Sequence, residues 1–335
     1  MLKDKHGRTI DYLRISVTDR CDLRCISCMP PDGVQPLGHS DILRFEEIKA
    51  IVKTGAELGI RCARLTGGEP LARLGIVALA KNLCCIPGFD LALTTNGIQF
   101  AQQAEALLQA GVRRVNFGIP SLDPAKYSIA TRRGNLTDAL DGLDSAIRLG
   151  FSPIKINVVA MRGINDGLED LRRFAALASE KPVHVRFIEY MPIGDARHAE
   201  YFVPSANIEQ SLKAAMADLA ALPPADSTVQ FQNVKVPGAG PAKDAWRPPG
   251  WQGSIATISP MTGHICERCN RLRLTADGHL RPCLFSEREI RLKPALRPVM
   301  DFEHLKSLLL EAVENKPPSM FETSGFGRKM SQIGG

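Results

Sequence analysis

Cys21, Cys25 and Cys28 stand in the spacing C-x3-C-x2-C, within Tyr12-Leu-Arg-Ile-Ser-Val-Thr-Asp-Arg-Cys21-Asp-Leu-Arg-Cys25-Ile-Ser-Cys28-Met-Pro30. Three thiolates this close can hold three irons of a four-iron cluster. The fourth iron is then left without a protein ligand, open to a cofactor or substrate. A structural zinc ion takes four protein ligands, and no fourth stands near these three at the usual spacing. Cys266, Cys269 and Cys283 repeat the theme as C-x2-C-x13-C. There a zinc alternative stays open, because His264 or His279 could complete the set. One incomplete site could be accident; two in one chain form a pattern.

Other residues carry weaker signals. Gly67-Gly68-Glu69-Pro70 has glycines that let a backbone approach a ligand closely, and Glu69 could accept a hydrogen bond from an ammonium group. The same four residues also suit an ordinary strand-to-helix turn with a proline at the helix start. Arg14, Arg64, Lys155, Arg271 and Arg273 lie on or beside strand ends, where several cations together could hold a triphosphate. Taken singly, each is more often a solvated surface charge. Met191 reads as core filler, and Gly334-Gly335 as a frayed end.

These residues need a scaffold, and the chain supplies one. Apolar runs predict strands at Leu13–Thr18, Cys62–Thr66, Leu91–Thr95, Arg114–Ile119, Ile154–Ala160 and Val183–Ile188. Helical patterns fall between them at Phe45–Leu58, Ile76–Cys85, Phe100–Gln109, Thr137–Leu149 and Leu168–Ser179. In the first, Ile48, Ile51, Val52, Gly55 and Leu58 share one face. Gly59, Gly111 and Gly150 each close a helix before the next strand, the usual place for a glycine. Alternating strands and helices with short joints predict an α/β fold of parallel strands, three quarters of an eight-fold barrel. Working residues of such barrels collect at the C-terminal strand ends, and the first triplet follows the first strand directly. Leu222-Pro-Pro-Ala, Pro237–Pro241 and Arg247-Pro-Pro-Gly250 give residues 218–253 a linker composition. Asp277-Gly278 marks a hairpin that brings Cys283 back beside Cys266 and Cys269.

The chain has 335 residues, 44% of them hydrophobic, enough for one large domain with an appendage. No apolar run approaches the length of a membrane span, and the N-terminus lacks the apolar stretch of a secretory signal, so the cytosol is expected. Nine cysteines in a cytosolic chain argue for metal binding over disulfides. Cys62, Cys84 and Cys85, outside both triplets, are expected to be buried small hydrophobes. A net charge of +6, spread along the chain, permits an anionic substrate. With 6% aromatic residues and no basic patch interleaved with them, single-stranded nucleic acid is not an expected partner.

The first triplet resembles the signature of radical S-adenosylmethionine (SAM) enzymes. The block from Cys266-Glu-Arg-Cys269-Asn-Arg-Leu-Arg273 to Cys283-Leu-Phe285 is similar to the C-terminal motif of one family among them, the GTP 3′,8-cyclases of molybdenum cofactor biosynthesis. Leu13–Cys21, Arg64–Pro70, Thr94–Gly97, Arg186–Met191 and the Gly-Gly end resemble the same family, so that only residues 218–253 stand apart.

The resemblance implies an incomplete (β/α)6 barrel of the radical SAM type with a C-terminal cluster-binding extension. It divides the chain into a SAM-binding barrel at 1–217, a connecting segment at 218–253 and an auxiliary-cluster region at 254–335. It implies two 4Fe-4S clusters, on Cys21, Cys25 and Cys28 and on Cys266, Cys269 and Cys283. SAM contacts would come from Ser27, Gly68, Glu69 and Met191. GTP contacts would come from Arg14, Arg64, Thr94, Lys155, Arg271, Leu272 and Arg273, with the Gly-Gly tail reaching the site. SAM cleavage would give a 5′-deoxyadenosyl radical that takes the 3′ hydrogen of GTP before C3′ joins C8. An electron donor, handover to cyclic pyranopterin monophosphate synthase and a homodimer are further implications.

Three positions depart from the family pattern. Ser27 replaces an aromatic residue, and Gly118 and Pro120 stand where a SAM-contacting serine and an aspartate are usual. Weaker SAM binding is expected from the lost hydroxyl, at about 1 kcal/mol. Two other readings remain on the sequence: a different radical SAM enzyme with an auxiliary cluster, such as a peptide modifier, or a zinc-stabilised binding protein without activity.

Overall fold

The computed structural model describes residues 1–193, 198–219, 232–236, 245–263, 265–323 and 327–334. The first half repeats strand and helix: β1 (Tyr12–Ser16), α1 (Phe45–Leu58), β2 (Cys62–Thr66), α2 (Ile76–Cys84), β3 (Asp90–Thr95), α3 (Phe100–Gln109) and β4 (Arg114–Gly118). A helix pair, α4 (Pro124–Thr131) and α5 (Leu136–Arg148), precedes β5 (Ile154–Ala160), α6 (Leu168–Glu180) and β6 (Val183–Glu189). Helices α7 (His198–Tyr201) and α8 (Ser205–Leu219) lead to a hairpin of β7 (Gln232–Val234) and β8 (Ala245–Arg247). The chain then forms β9 (Ser254–Ile258), β10 (Arg271–Leu274), β11 (His279–Arg281), β12 (Ile290–Arg291) and α9 (Phe302–Glu314), which packs against α1.

Among the described residues the strands form one open sheet in the order β12-β11-β10-β1-β2-β3-β4-β5-β6-β9-β8-β7. The six expected strands are therefore flanked by two more, since β9 pairs parallel with β6 and β10 parallel with β1. The described strands before residue 217 and after residue 254 belong to one sheet, since β9 pairs directly with β6. The linker composition of 218–253 also conceals β7 and β8; Leu222–Ala225 and Pro237–Pro241 lie outside the described residues.

Because β9 and β10 both run parallel to the central strands, the chain between them must return from the C-terminal to the N-terminal end of the sheet. The described residues 259–263 and 265–270 lie on that return, between β9 beside β6 and β10 beside β1, and carry Cys266 and Cys269. Glu189 fastens the start of the return, with its Oε2 accepting from the backbone of Met261 at 2.8 Å and Thr262 at 3.0 Å.

Side chains alternate across each strand. Leu13, Ile15, Leu65, Leu93, Phe117, Ile156 and Val185 are buried against the helices in the main apolar core. The alternate positions line the inner face, and most of them are polar. Gly59, Gly111 and Gly150 adopt the left-handed conformation their places at helix ends demand. Two expectations need correction. Cys62 and Cys84 are only half-buried, and Cys85 is exposed, because it caps the outer end of α2 instead of continuing its inner face. The helix α4 was missed, although Asp123 caps it by accepting from the backbone of Ala125 and Lys126.

Candidate functional site

The first triplet occupies a turn after β1. The backbone carbonyl of Cys25 accepts from Cys28 at 3.0 Å and Met29 at 3.1 Å. The loop hangs from α4: Arg24 N donates to Thr131 O, Ile26 N to Ala130 O, and the Arg132 guanidinium to the carbonyls of Arg24 and Met29. Burial pushes the thiols of Cys25 and Cys28 up to about 12 and that of Cys21 higher still. Only a strong local positive charge would make three thiolates of them.

The Gly67–Pro70 turn braces this loop from the other side. Gly68 N donates to Thr18 O at 2.6 Å and Glu69 N to Arg20 O at 2.8 Å. A Cβ on Gly68 would lie 2.2 Å from Arg20 O, so only glycine allows this approach. Glu69 is 1% exposed and accepts from Leu71 N at 3.0 Å, Thr95 Oγ1 at 2.8 Å and Asn96 N at 2.7 Å. A carboxylate has about four acceptor positions, so one remains for a ligand. Burial, reinforced by Asp22, pushes Glu69 up to about 7.

The inner face of the sheet concentrates cations. Register places Arg14 beside Arg64 and Arg273, Thr94 beside Asn116, Asn116 beside Lys155, and Asn157 beside Arg186. Arg64 donates to Tyr12 Oη at 2.7 Å, Leu93 O at 2.9 Å and Thr94 Oγ1 at 3.4 Å. Arg186 donates to Asn157 Oδ1 at 2.6 Å, and the Arg271 guanidinium lies 5.8 Å from the centre of the Tyr12 ring. Burial followed by neighbouring cations brings Lys155 down to about 6, Arg186 to about 9 and Arg273 to about 10. Arg14 falls well below its usual range for the same reasons. Crowded like charges with depressed pKa values make a site that gains from a polyanion.

The second triplet is held by distant chain segments. Lys316, 2% exposed, donates through Nζ to Cys269 Sγ at 3.4 Å and to the carbonyls of Arg271 and Pro282, each at 2.8 Å. Met320 N donates to Cys266 Sγ at 3.4 Å. Arg8, paired with buried Asp4 at 2.6 Å, donates to the carbonyls of Cys266, Pro317 and Pro318. Burial would push the Cys269 thiol up, but Lys316 and the Arg271 backbone bring it below its usual value. The β10–β11 hairpin, with Gly278 in the left-handed conformation, returns the chain to Cys283 as expected. His279 turns to Asp277 at 3.1 Å and to Arg328, not to the thiols; His264 lies outside the described residues.

The C-terminal tail joins these parts. The Ser331 backbone lies near enough to Cys28 to offset part of the effect of burial on its thiol. Ile333 packs with Phe285, Met320 and Met191 around Cys266 and Cys283. Gly334 O accepts from Arg14 Nε at 3.1 Å and Arg273 at 2.9 Å. A Cβ on Gly334 would lie 2.4 Å from Thr66 Oγ1, which is why a side-chain-free residue enters here; Gly335 lies outside the described residues.

Leu272 buries its side chain in the outer core, leaving only backbone to the inner face. Ser27 lies half-buried within the cysteine turn. Pro120 lies just past the end of β4, where its missing N–H costs no ladder bond. The sequence had not singled out Arg186, Asn157, Asn116 or Tyr12, although their period-2 placement among apolar strand residues was a usable signal. Arg8 and Lys316 carried no local signal at all.

Among the described residues, no three His, Cys, Asp or Glu side chains come together closely enough to hold a single metal ion. All nine cysteines are free. Two open triplets, each receiving an N–H donor at a sulfur, fit iron–sulfur clusters.

A model of the radical SAM superfamily matches residues 15–175, and one described as Molybdenum Cofactor Synthesis C matches residues 183–322. A protein of Pelotomaculum thermopropionicum named GTP 3′,8-cyclase is 44% identical over 339 residues, 100% of both chains. Those of Petrotoga mobilis and Moorella thermoacetica are each 44% identical, over 99% and 100% of both chains respectively. Among solved structures, Streptococcus suis SuiB bound to S-adenosylmethionine shares the fold at 13% identity. Its TM-score is 0.61, over 93% of this chain and 68% of that one.

Proposed function

The chain belongs to the GTP 3′,8-cyclase family of radical SAM enzymes, and from that premise we propose how its residues divide the work. The enzyme converts GTP to (8S)-3′,8-cyclo-7,8-dihydroguanosine 5′-triphosphate and cleaves SAM to methionine and 5′-deoxyadenosine, in molybdenum cofactor biosynthesis. Its cofactors, SAM and iron–sulfur clusters, supply the electron, the radical and the Lewis-acidic iron.

Cys21, Cys25 and Cys28 hold the SAM-binding cluster. Glu69 offers its remaining acceptor position to the amino group of SAM. Gly68 and the Ser27 main chain border the adenosine, and Met191 closes the apolar side. Cys266, Cys269 and Cys283 hold the second cluster. Arg14, Arg64, Lys155, Arg271 and Arg273 orient the triphosphate, with Thr94 and the Leu272 backbone beside them. In this division residues 1–217 carry the SAM-binding cluster and part of the triphosphate site, and 254–335 carry the second cluster and the rest of the substrate site. The inner face excludes water and fixes the ribose between the two cofactors.

The observation that supports this most is the tail, which reaches Cys28, the surroundings of Cys266 and Cys283, and the Arg14–Arg273 pair within a few residues. The tail thus ties the three functional elements to one another. Anaerobic incubation with GTP, SAM and a reductant tests it: 5′-deoxyadenosine should form only when GTP is present. Formation without GTP, or colourless protein containing zinc, would overturn the assignment. Among the described residues no helix is long and apolar enough to cross a membrane. A cytosolic homodimer fed by an electron donor, which hands its product to cyclic pyranopterin monophosphate synthase, completes the proposal.

A further inference from the structure

The two triplets differ in the charge that touches their sulfurs. At the first, Cys21 Sγ lies 3.7 Å from the Asp22 carboxylate and accepts from Leu23 N at 3.4 Å, so both triplets take a backbone N–H and differ in the sign of the touching charge. Asp22 is held there by Asn96 Nδ2 at 2.6 Å and Gln99 Nε2 at 3.2 Å. Arg24 and Arg132 are cations near this loop, but their guanidiniums serve backbone carbonyls, those of Cys21 and Leu23 for Arg24 and those of Arg24 and Met29 for Arg132. At the second, the contact is a buried ammonium, Lys316 Nζ on Cys269 Sγ at 3.4 Å, joined by the Met320 N–H on Cys266 Sγ. Lys316 is further fixed by two carbonyls and, through its own carbonyl, by His6 Nε2 at 3.2 Å.

Hydrogen bonds and positive charge at the sulfurs stabilise the reduced state of an iron–sulfur cluster, and negative charge disfavours it. We propose that Lys316 is a positioning and tuning residue that sets the second cluster at a higher reduction potential than the first. The second cluster then fills first, so an electron that reaches the first is available for SAM and not drained to its neighbour. This rests on the assignment of a cluster to Cys266, Cys269 and Cys283.

The test is an anaerobic redox titration followed by electron paramagnetic resonance, in protein reconstituted with iron and sulfide. A background with Cys21, Cys25 and Cys28 all replaced by Ala isolates the second cluster. In that background Lys316→Met should lower the reduced-to-oxidised ratio at fixed poise roughly tenfold, a shift of about 59 mV to lower potential for one electron. Lys316→Arg, which keeps the charge, should recover most of it. An unchanged midpoint in Lys316→Met with iron retained would overturn the proposal. So would a Lys316→Arg protein that shifts as far as Lys316→Met. If Lys316→Met sheds its iron, Lys316→Gln replaces it under the same two criteria, and iron loss in both makes Lys316 a structural brace and also overturns the proposal. Absence of the second cluster from the protein with Lys316 intact would instead sink the family-based assignment of the site.

Discussion

The two cysteine triplets share a chemistry and differ in how the chain holds them. The first sits in a turn positioned by neighbouring barrel elements, the Gly67–Pro70 turn and α4. The second is clamped by segments from both ends of the chain, Asp4–Arg8 and Lys316–Met320, with Cys266 and Cys269 on the return between β9 and β10. Both sites depend on distant chain: Arg132 and Met29 are 103 residues apart and Arg8 and Cys266 are 258 apart, but among the described residues the second site alone is held by the N-terminal segment.

Replacing one ligand in each triplet should separate them most sharply. Cys25→Ala should lose about four of about eight irons and abolish 5′-deoxyadenosine formation. Cys269→Ala should lose the other four, keep slow SAM cleavage and form no cyclised product. Iron content and chromatography of the products decide it, and identical behaviour would erase the division of labour.

Next in size is the clamp. Arg8→Met strands buried Asp4 and three carbonyls, a loss on the order of 3–5 kcal/mol for a broken buried pair. Thermal unfolding should shift down, and irons of the second site should be lost before those of the first. Loss of both sets together would show that the clamp serves the whole fold.

A smaller effect concerns the cations between the triplets. Lys155, brought down to about 6 by burial and by Arg186 and Arg64, is mostly neutral at pH 8. A triphosphate favours the ammonium, so binding should take up a proton. GTP affinity should therefore rise as pH falls from about 8.5 towards 7, by at most tenfold per unit. Calorimetry in buffers of different ionisation enthalpy measures the uptake; Lys155→Met should abolish it.

The smallest expected effect tests the first site. A Cβ on Gly118 would meet only Thr95 O, at 3.8 Å, so serine fits there. Gly118→Ser should tighten SAM by about 1 kcal/mol, roughly fivefold. Ser27→Tyr should tighten it through ring contact. If neither changes SAM affinity, the departures at these positions do not weaken the site.

Much of this was legible in the chain. Cys62–Thr66, Ile154–Ala160 and Phe45–Leu58 have the bounds their periodicity implied, because buried strands and an amphipathic helix write their faces into the sequence. The cysteines were legible because ligand spacing is local. The inner cationic face was only partly so: Arg186 and Asn157 sit on adjacent strands and meet only once the register is set. Cys269 and Lys316 are 47 residues apart and Arg8 and Cys266 are 258 apart, so no window along the chain contains either contact. The short strands β7 and β8 were hidden by flanking Pro and Gly, which report on turns and not on the three-residue strands between them.

The pairing of β10 with β1 also bears on how the molecule comes into being. Asn270 and Asp11, which meet at 2.6 Å where these strands begin, are 259 residues apart. Contacts of such separation form late, since the loop they close is nearly the whole chain. During synthesis the Cys21–Cys28 loop emerges long before Arg271, Arg273 or Cys283 exists. The protein frame of the second triplet therefore cannot form before the last strands, whereas β1, β2 and α4, which frame the first, are made within the first 131 residues.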